Sequence, residues 1–270
     1  MNTISKIIFV IPARLDSSRL PRKVLAEVCG IPMLKRVLEI CNKFNYEVIA
    51  CVDSEELEKL VKTWNFKVIK TSKNCQSGSE RIASVIDSIL SIAWGSNSLD
   101  WEKEMRKNRL NQTAIINVQG DQPFIDINVL SEMIKRLSSK KDKFEILTPI
   151  YPLEEFEIDN ENIVKVVINL NSDAIYFSRQ TIPFIRGIDR REWYSHTTFW
   201  GHIGIYGFRG DILDKWLELP ESSLEKLEKL EQLRLIESGY RISTYKVEKG
   251  IFSIDTFSQL VEANKLCKNN

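Results

Sequence analysis

The feature that most constrains the fold of this chain is a regular alternation of short apolar runs with segments of helical periodicity in its first half. Apolar runs rich in β-branched residues occupy residues 6–10, 46–52, 67–71 and 113–118. Apolar side chains recur at helical spacing over residues 33–44, 54–64, 79–92 and 129–137. This β-α-β-α order predicts a mostly parallel, doubly wound α/β sheet with right-handed helical crossovers.

The pattern changes after residue 140. Strand-like segments at residues 145–151, 163–170, 174–177 and 202–208 follow one another without long helices between them. A helix over 224–236, a strand over 241–247 and a helix over 257–266 complete the chain, and residues 94–112 are expected to form a polar surface excursion. We expect a mixed or antiparallel extension of the sheet within a single domain of residues 1–270.

Charge and cysteine usage exclude several classes of protein. Lys and Arg number 38 and Asp and Glu number 37, a formal net charge of +1, whereas proteins that bind nucleic acid usually carry a strong basic excess. The apolar stretch near the N-terminus ends at Arg14 and is too short to cross a membrane. The five cysteines stand singly, without a Cys-x-x-Cys pair, which favours reduced thiols and a cytoplasmic protein.

The loop after the first strand, IPARLDSSRLPRK, places Arg14, Arg19 and Lys23 around two serines. In an open parallel sheet, ligands bind at the carboxyl ends of the strands, where this loop lies. The loop matches neither the Walker A pattern nor Gly-x-Gly-x-x-Gly. Two interpretations stay open from the residues alone: a solvated basic loop, or a cradle for phosphates.

Two acidic residues follow apolar strands. Asp121 follows 113–118 and Asp255 follows 251–254. Each could be a turn or N-cap residue, but together with the basic loop they indicate a site for a nucleotide and Mg²⁺, which prefers oxygen ligands. Arg179 is a candidate clamp for a substrate carboxylate, and Arg81 could instead be paired on the surface. The two histidines, His196 and His202, have no acidic or cysteine neighbours that would indicate a zinc site.

Several stretches in order along the chain resemble the 3-deoxy-manno-octulosonate (KDO) cytidylyltransferases. They are IPARLDSSRLPRK, GIPMLKRVLE, QSGSERIA, NVQGDQPFI, VKVVIN, AIYFSRQTIPF, HIGIYGFR, LEKLEQLR and a closing IDT. The resemblance implies a nucleotide-diphospho-sugar transferase fold and a homodimer whose contact uses roughly residues 145–210. It also implies CMP transfer from CTP to the anomeric hydroxyl of KDO, with release of pyrophosphate, for lipopolysaccharide biosynthesis.

The resemblance also implies roles for individual residues. Asp121 and Asp255 would hold Mg²⁺, and with Arg19 and Lys23 they would form the catalytic set. The residues expected to bind CTP are Pro12, Ala13, Arg14, Ser18, Arg19, Lys23, Ser77 and Arg81. The residues expected to bind the sugar acid are Gln119, Arg179, His202, Tyr206, Glu231 and Gln232, with Arg179 as the partner of its carboxylate.

The chain departs from the family pattern at four positions. Arg22 and Val24 stand where members often have glycine and proline, Gln122 where glutamate is common, and Phe257 where proline is usual. These departures leave two alternatives open: a related sugar acid such as the 8-amino analogue of KDO as substrate, or a homologue that binds CTP without turnover.

Overall fold

The structure is a computed structural model that describes residues 3–17, 19–139 and 144–266. The chain divides into two compact units. Unit 1 comprises Met1–Lys141, Gly207–Leu217 and Ile251–Asn270, and unit 2 comprises Asp142–Tyr206 and Glu218–Gly250. The single domain expected for residues 1–270 stays a prediction.

The part of the chain before residue 140 alternates strands and helices as the sequence predicts. Its elements are β1 (Lys6–Ala13), β2 (Glu27–Val28), β3 (Ile31–Pro32), α1 (Met33–Asn42), β4 (Glu47–Val52), α2 (Glu55–Thr63), β5 (Lys67–Lys70), α3 (Gly78–Ala83), α4 (Ile86–Trp94), α5 (Lys103–Gln112), β6 (Thr113–Val118) and α6 (Ile127–Leu137).

Shorter elements dominate the chain from residue 144 onwards. They are β7 (Ile146–Pro152), β8 (Lys165–Ile168), β9 (Ala174–Ser178), α7 (Trp193–His196), β10 (Trp200–His202), β11 (Ile205–Arg209), α8 (Gly210–Asp214), α9 (Ser223–Glu228), α10 (Gln232–Glu237), β12 (Ile242–Lys246) and α11 (Phe257–Leu266).

The sheet of unit 1 has the strand order β5-β4-β1-β6-β11. β1 lies parallel to both β4 and β6, with Ala13 opposite Val52 and Val10 opposite Asn117. Residues Ile8–Ile11 have no exposed surface, because helices cover both faces of such a sheet and its strands become continuous apolar runs. This arrangement confirms the parallel α/β class and brings the ends of β1, β4 and β6 to one edge.

Unit 2 contains the mixed extension that the sequence predicts. β7 pairs with β12 in parallel and with β10 in antiparallel fashion, and β10, β8 and β9 continue the sheet with antiparallel pairs. β9 stands at the end of this strand order among the described residues.

Three elements expected to be continuous are interrupted. The helix expected over 79–92 is broken between α3 and α4, where Val85 leaves the helical conformation at φ −129°. The helix expected over 224–236 is broken by Lys229, which has a left-handed φ of 56°. The strand expected over 202–208 is divided into β10 and β11. The excursion expected over 94–112 includes a regular helix, α5.

The cysteines only partly follow the expectation of reduced thiols. Cys41, Cys51 and Cys75 are free and buried, whereas Cys29 is disulfide-bonded. Among the described residues, no helix combines the length and the apolar character that crossing a membrane requires.

Candidate active site

The basic loop begins at the carboxyl end of β1 and is held there by a buried acid. Asp53 directly follows β4, and its Oδ1 accepts a hydrogen bond of 3.0 Å from the backbone N–H of Leu15. This contact fixes the start of the loop, beside the exposed side chain of Arg14. The loop therefore starts in a defined position at the edge of the sheet where ligands usually bind.

Lys23 joins the two acids that follow strands. Its Nζ donates to Asp121 Oδ2 and, at 2.9 Å, to Asp255 Oδ1. Arg19 Nη2 donates to the same oxygen of Asp255 at 3.1 Å. Burial alone would lower the pKa of Lys23, but the charges of Asp121 and Asp255 outweigh burial and raise that pKa above its ordinary value. We call these four residues the nucleotide cluster.

A cavity of about 230 Å³ opens beside the nucleotide cluster. Its polar lining comes from the basic loop, from the start of α3 and from the segment after β6. The lining residues are Pro12, Ala13, Arg14, Ser17, Arg19, Lys23, Val24, Cys75, Gln76, Ser77, Gly78, Arg81, Gln119, Gly120 and Asp121. Every described residue expected to bind CTP lies on this list; Ser18 is outside the described residues.

Gln119 lines the same cavity, although the family resemblance assigns it to the sugar acid. Its Nε2 donates to Asn117 Oδ1 at 3.2 Å. A Cβ on Gly78 would lie 2.9 Å from both amide atoms of Gln119 and 3.1 Å from Pro12 Cγ. The glycine thus lets α3 approach the ends of β1 and β6 closely.

Arg81 is buried, so the surface pairing considered for it is wrong. Only 3% of its surface is exposed, and its Nη1 donates to Thr71 Oγ1 at 2.5 Å and to the carbonyl of Ser72 at 3.0 Å. Both acceptors are neutral, and no ion pair of Arg81 occurs among the described residues. Its neighbour on the cavity wall, Ser77, caps α3 by accepting from the N–H of Glu80 at 3.1 Å.

Arg22 occupies the position where the family often has glycine. It has a left-handed φ of 56°, a conformation that costs a non-glycine residue about 1 kcal/mol. Its guanidinium makes a two-pronged ion pair with Glu56 at the start of α2, with Nη1 to Oε2 at 3.1 Å. The loop therefore keeps the turn that a glycine would favour and is tied to α2 by a pair that is half exposed.

The residues expected to bind the sugar acid, Gln119 apart, lie in unit 2. His202 packs against Phe177 and Tyr206, with ring centroids 4.9 and 5.4 Å apart, and burial lowers the pKa of His202 to about 3. Its Nε2 lies 2.9 Å from Thr148 Oγ1, whose own hydrogen is directed to the carbonyl of Ile205 at 2.8 Å. We therefore assign the proton of this neutral ring to Nε2, which leaves Nδ1 as an acceptor.

Tyr206, Glu231 and Gln232 extend this group. Burial raises the pKa of Tyr206, and the charge of Glu231 raises it further by a smaller amount. Gln232 has 3% of its surface exposed, and its buried Nε2 has no acceptor among the described residues. An amide donor in that position costs free energy unless a ligand or water accepts from it.

Arg179 is held by residues that the sequence analysis did not single out. Its Nε donates to the carbonyl of Glu228 at 2.8 Å and its Nη1 to the carbonyl of Glu161 at 3.1 Å. Within the described part of the chain, it makes no direct hydrogen bond to His202 or Gln232. We call Arg179, His202, Tyr206, Glu231 and Gln232 the sugar-acid cluster.

Asp53 and Glu228 are the site residues that sequence reasoning missed. Asp53 carries the signal that identified Asp121, since it directly follows an apolar strand. Glu228 lies in the repetitive stretch LEKLEKLEQL, where nothing distinguishes it from its acidic neighbours.

The comparisons with known proteins identify the family of this chain. A family model described as Cytidylyltransferase matches residues 8–93 and 96–244. The 3-deoxy-manno-octulosonate cytidylyltransferase of Francisella tularensis subsp. tularensis is 35% identical over 266 residues, covering 97% of this chain and 99% of the relative. The protein of the same name from Porphyromonas gingivalis is 32% identical over 265 residues, covering 97% and 96%.

Solved structures show the same relationship. A CMP:2-keto-3-deoxy-manno-octonic acid synthetase complexed with CTP superposes with a TM-score of 0.81 at 30% identity, over 98% of this chain and 99% of that one. A chain from Bacillus anthracis named for glucose-1-phosphate thymidylyltransferase has a TM-score of 0.62 at 13% identity, over 98% and 96%, and shares the fold alone. The chain belongs to the cytidylyltransferase family, among the 3-deoxy-manno-octulosonate cytidylyltransferases.

Proposed function

We propose that this chain transfers CMP from CTP to the anomeric hydroxyl of KDO and releases pyrophosphate. The observation that carries the proposal is the nucleotide cluster, in which Lys23 bridges Asp121 and Asp255 beside Arg19. Relatives named for KDO, and a similar synthetase complexed with CTP, support this reaction over one with the 8-amino analogue.

The chemistry requires no nucleophilic side chain. The hydroxyl oxygen of the sugar acid attacks the α-phosphorus of CTP and its proton passes to solvent water. The bond from that phosphorus to the bridging oxygen breaks, and its electron pair leaves with pyrophosphate. Positioning of the reactants and neutralisation of the developing charge supply most of the catalysis in such reactions. Arg14, Arg19 and Lys23 line the cavity as cations, and in this proposal they stabilise the triphosphate and the departing pyrophosphate.

We propose Mg²⁺ as the cofactor, with Asp121 and Asp255 as its protein ligands. The donor set fits, because two carboxylates converge on one cation, the ammonium of Lys23. Mg²⁺ is commonly held by one or two carboxylates together with substrate phosphates. The described residues hold no group of three metal-ligating side chains, so the proposal requires CTP phosphates to complete the coordination. Bound there, Mg²⁺ would neutralise charge on the phosphates of CTP.

The sugar-acid cluster provides suitable partners for KDO. Arg179 is held by two neutral carbonyls and keeps its positive charge for a carboxylate. Gln232 Nε2 is a buried donor without an acceptor among the described residues, and His202 offers a neutral ring nitrogen as an acceptor. These groups match one carboxylate and several hydroxyls.

Pyrophosphate release tests the proposal. The wild-type chain is expected to release pyrophosphate with CTP, Mg²⁺ and KDO, and to lose this activity when EDTA removes the metal. Asp121→Asn and Asp255→Asn should each lower kcat by about 10²-fold or more, whereas Asp100→Asn, at an exposed site remote in sequence from both, should not. No turnover with KDO, its 8-amino analogue or other sugar acids, despite CTP binding, would favour a homologue that only binds the nucleotide.

We also propose a homodimer formed through unit 2. Several large apolar side chains of this unit are exposed, among them Phe156 (82%), Leu170 (106%), Ile175 (54%) and Phe184 (74%). Ile175 lies on β9, the last strand in the order of this unit, and exposed apolar side chains at a sheet edge favour association. Light scattering after gel filtration should give twice the chain mass, and Ile175→Glu together with Phe184→Glu should give the monomer.

The proposed location is the cytoplasm, with the product used for lipopolysaccharide biosynthesis. The free thiols of Cys41, Cys51 and Cys75 are typical of proteins in reducing compartments. Fractionation of the producing cells checks the location.

A further inference from the structure

Glu228 makes an unusual number of contacts with the end of β9. It is the last residue of α9. Its Oε1 accepts from Ser178 Oγ at 2.6 Å and from the Tyr176 hydroxyl at 3.4 Å, and its Oε2 accepts from the backbone N–H of Arg179 at 2.9 Å. Its carbonyl accepts from Arg179 Nε at 2.8 Å. One glutamate thus binds both the backbone and the side chain of Arg179.

The guanidinium of Arg179 is fixed from a second side. Its Nη1 donates to the carbonyl of Glu161 at 3.1 Å. The carbonyls of Asn160, which precedes Glu161, and of Ile163, two residues after it, accept from the buried Lys165, each at 2.8 Å. Lys165 pairs with Ser178 in the register of β8 and β9. Both acceptors of the guanidinium are therefore anchored to the same cross-strand pair.

This arrangement orients the guanidinium of Arg179 through neutral carbonyls, without an ion pair to it among the described residues. A guanidinium has five N–H donors, and the described residues take up two of them, both with neutral carbonyls. The carboxylate of Glu228 binds the backbone N–H of Arg179 and the Ser178 hydroxyl, and it makes no hydrogen bond to the guanidinium among the described residues. The remaining donors, Nη2 among them, keep a fixed direction and are available to an external anion.

We propose that Glu228 is a positioning residue for capture of the sugar-acid carboxylate, acting through Arg179. This inference rests on the proposed function. A fixed fork loses less conformational freedom when a carboxylate binds it, so affinity improves without any contact between Glu228 and the substrate. The alternative role for a negative charge so close to Arg179 is to repel the substrate carboxylate, and that role predicts the opposite change in KM.

Steady-state kinetics of pyrophosphate release distinguish the two roles. Glu228→Ala is expected to raise KM for KDO by about tenfold or more, the loss expected when hydrogen bonds to a charged group are removed. KM for CTP should stay within about twofold of its wild-type value, as for a residue that contacts only one substrate site. Glu228→Gln keeps one acceptor oxygen and should recover part of the loss. Glu221→Gln, which removes an exposed charge just before α9 that pairs with Lys226, is the matched control and should change neither KM.

A double-mutant cycle separates positioning from general destabilisation. If Glu228 acts through Arg179, Glu228→Ala combined with Arg179→Ala should raise KM for KDO no further than Arg179→Ala alone. Circular dichroism checks that the variants fold. If Glu228→Ala does not fold, Ser178→Ala, which removes one hydrogen bond to Glu228, carries the same expectation at smaller amplitude.

The outcomes that overturn the inference are specific. They are an unchanged KM for KDO in Glu228→Ala, a lowered KM in Glu228→Gln, an equal loss for CTP, or full additivity with Arg179→Ala. A wild-type chain that does not turn over KDO overturns the proposed function and this inference with it. A wild-type chain that turns over KDO while the Glu228 variants match it overturns the inference alone.

Discussion

Replacing Lys23 with methionine tests whether this lysine neutralises the two carboxylates of the nucleotide cluster. Asp121 and Asp255 both accept hydrogen bonds from Lys23 Nζ, and two such bonds keep the two accepting oxygens within about 6 Å of each other. At an effective dielectric constant of about 20, two negative charges at that distance repel each other by about 3 kcal/mol. Both aspartate side chains are 31% exposed, so that solvent screening reduces the expected loss of stability to about 1–2 kcal/mol.

The loss should depend on pH in a defined direction. The raised pKa of Lys23 means that its ion pairs stabilise the wild-type fold throughout the neutral range and are lost only as the pH rises through that pKa. Without Lys23, the carboxylates of Asp121 and Asp255 repel each other while both are charged, and this repulsion weakens as acid reduces their charge. The stability deficit should be complete at about pH 7.5 and should shrink towards about pH 4.5.

Urea unfolding of both proteins at the two pH values measures this effect. Adding Asp121→Asn to Lys23→Met should restore most of the stability at neutral pH, because the repulsion disappears. Lys67→Met, which removes a single exposed pair with Glu47 at 2.6 Å, should cost less than about 1 kcal/mol. An equal deficit at both pH values, or no recovery in the double variant, would refute the account of Lys23 as the neutralising charge.

Three further substitutions test how the site is supported. Gly78→Ala places a Cβ 2.9 Å from the Gln119 amide and should raise KM for CTP by about tenfold; an unchanged KM would mean that α3 can shift freely. Asn264→Ala removes a side chain that accepts from the N–H of Cys29 at 2.9 Å and donates to the carbonyl of Glu27 at 3.0 Å. Thermal unfolding should show a loss of about 1–2 kcal/mol, and kcat should fall, because α11 begins two residues after Asp255. Asp53→Ala should raise KM for CTP while KM for KDO stays unchanged. Asp53→Asn retains an acceptor for the N–H of Leu15 and should stay close to wild type. Equal losses of CTP affinity in both variants would contradict a role of Asp53 through the loop.

The parallel half of the fold could be predicted from the sequence because burial and local preference agree there. β1 is an unbroken apolar run whose central residues have no exposed surface. Ser54 precedes α2 as its N-cap, accepting from the N–H of Leu57 at 3.2 Å, a signal that is visible in the sequence. Where burial and local preference favour the same structure, the sequence pattern is sufficient to predict it.

The interruptions of the helices could not be predicted, because local preference and tertiary contacts disagree there. Lys229 ends α9 in a left-handed conformation, although lysine favours helices and no glycine or proline marks the break. The break follows Glu228, whose carbonyl and carboxylate bind the end of β9 instead of continuing the helix. Tertiary hydrogen bonds therefore decide this boundary, and they have no signature in the repetitive stretch LEKLEKLEQL.

The positions of the candidate site residues followed from strand ends, but their pairing did not. The sequence placed Asp121 and Asp255 after apolar strands or stretches, yet only the structure shows that Lys23 joins them. The sequence made Arg179 a candidate carboxylate clamp and the family resemblance assigned Arg81 to CTP, but neither indicated how a buried or partly buried guanidinium would be held. Long-range contacts of this kind depend on side-chain reach, which spacing along the chain does not report.

The cations of the candidate site are held in two different ways, and the difference indicates their roles. Lys23 and Arg19 contact carboxylates, so a phosphate that binds them must compete with Asp121 and Asp255, and a divalent ion on those aspartates would release both cations for phosphate. Arg81 and Arg179 are held by hydroxyl or carbonyl oxygens, which orient a guanidinium without forming an ion pair with it. A buried or half-buried cation held by neutral acceptors is costly unless an anion arrives. It follows that Arg81 and Arg179 can bind substrate anions in the metal-free protein, whereas the affinity of Lys23 and Arg19 for phosphate should rise with Mg²⁺. Titration of CTP with and without Mg²⁺ should therefore show a larger effect of the metal on CTP affinity in wild type than in Lys23→Met. An equal effect in both proteins would contradict this division of roles.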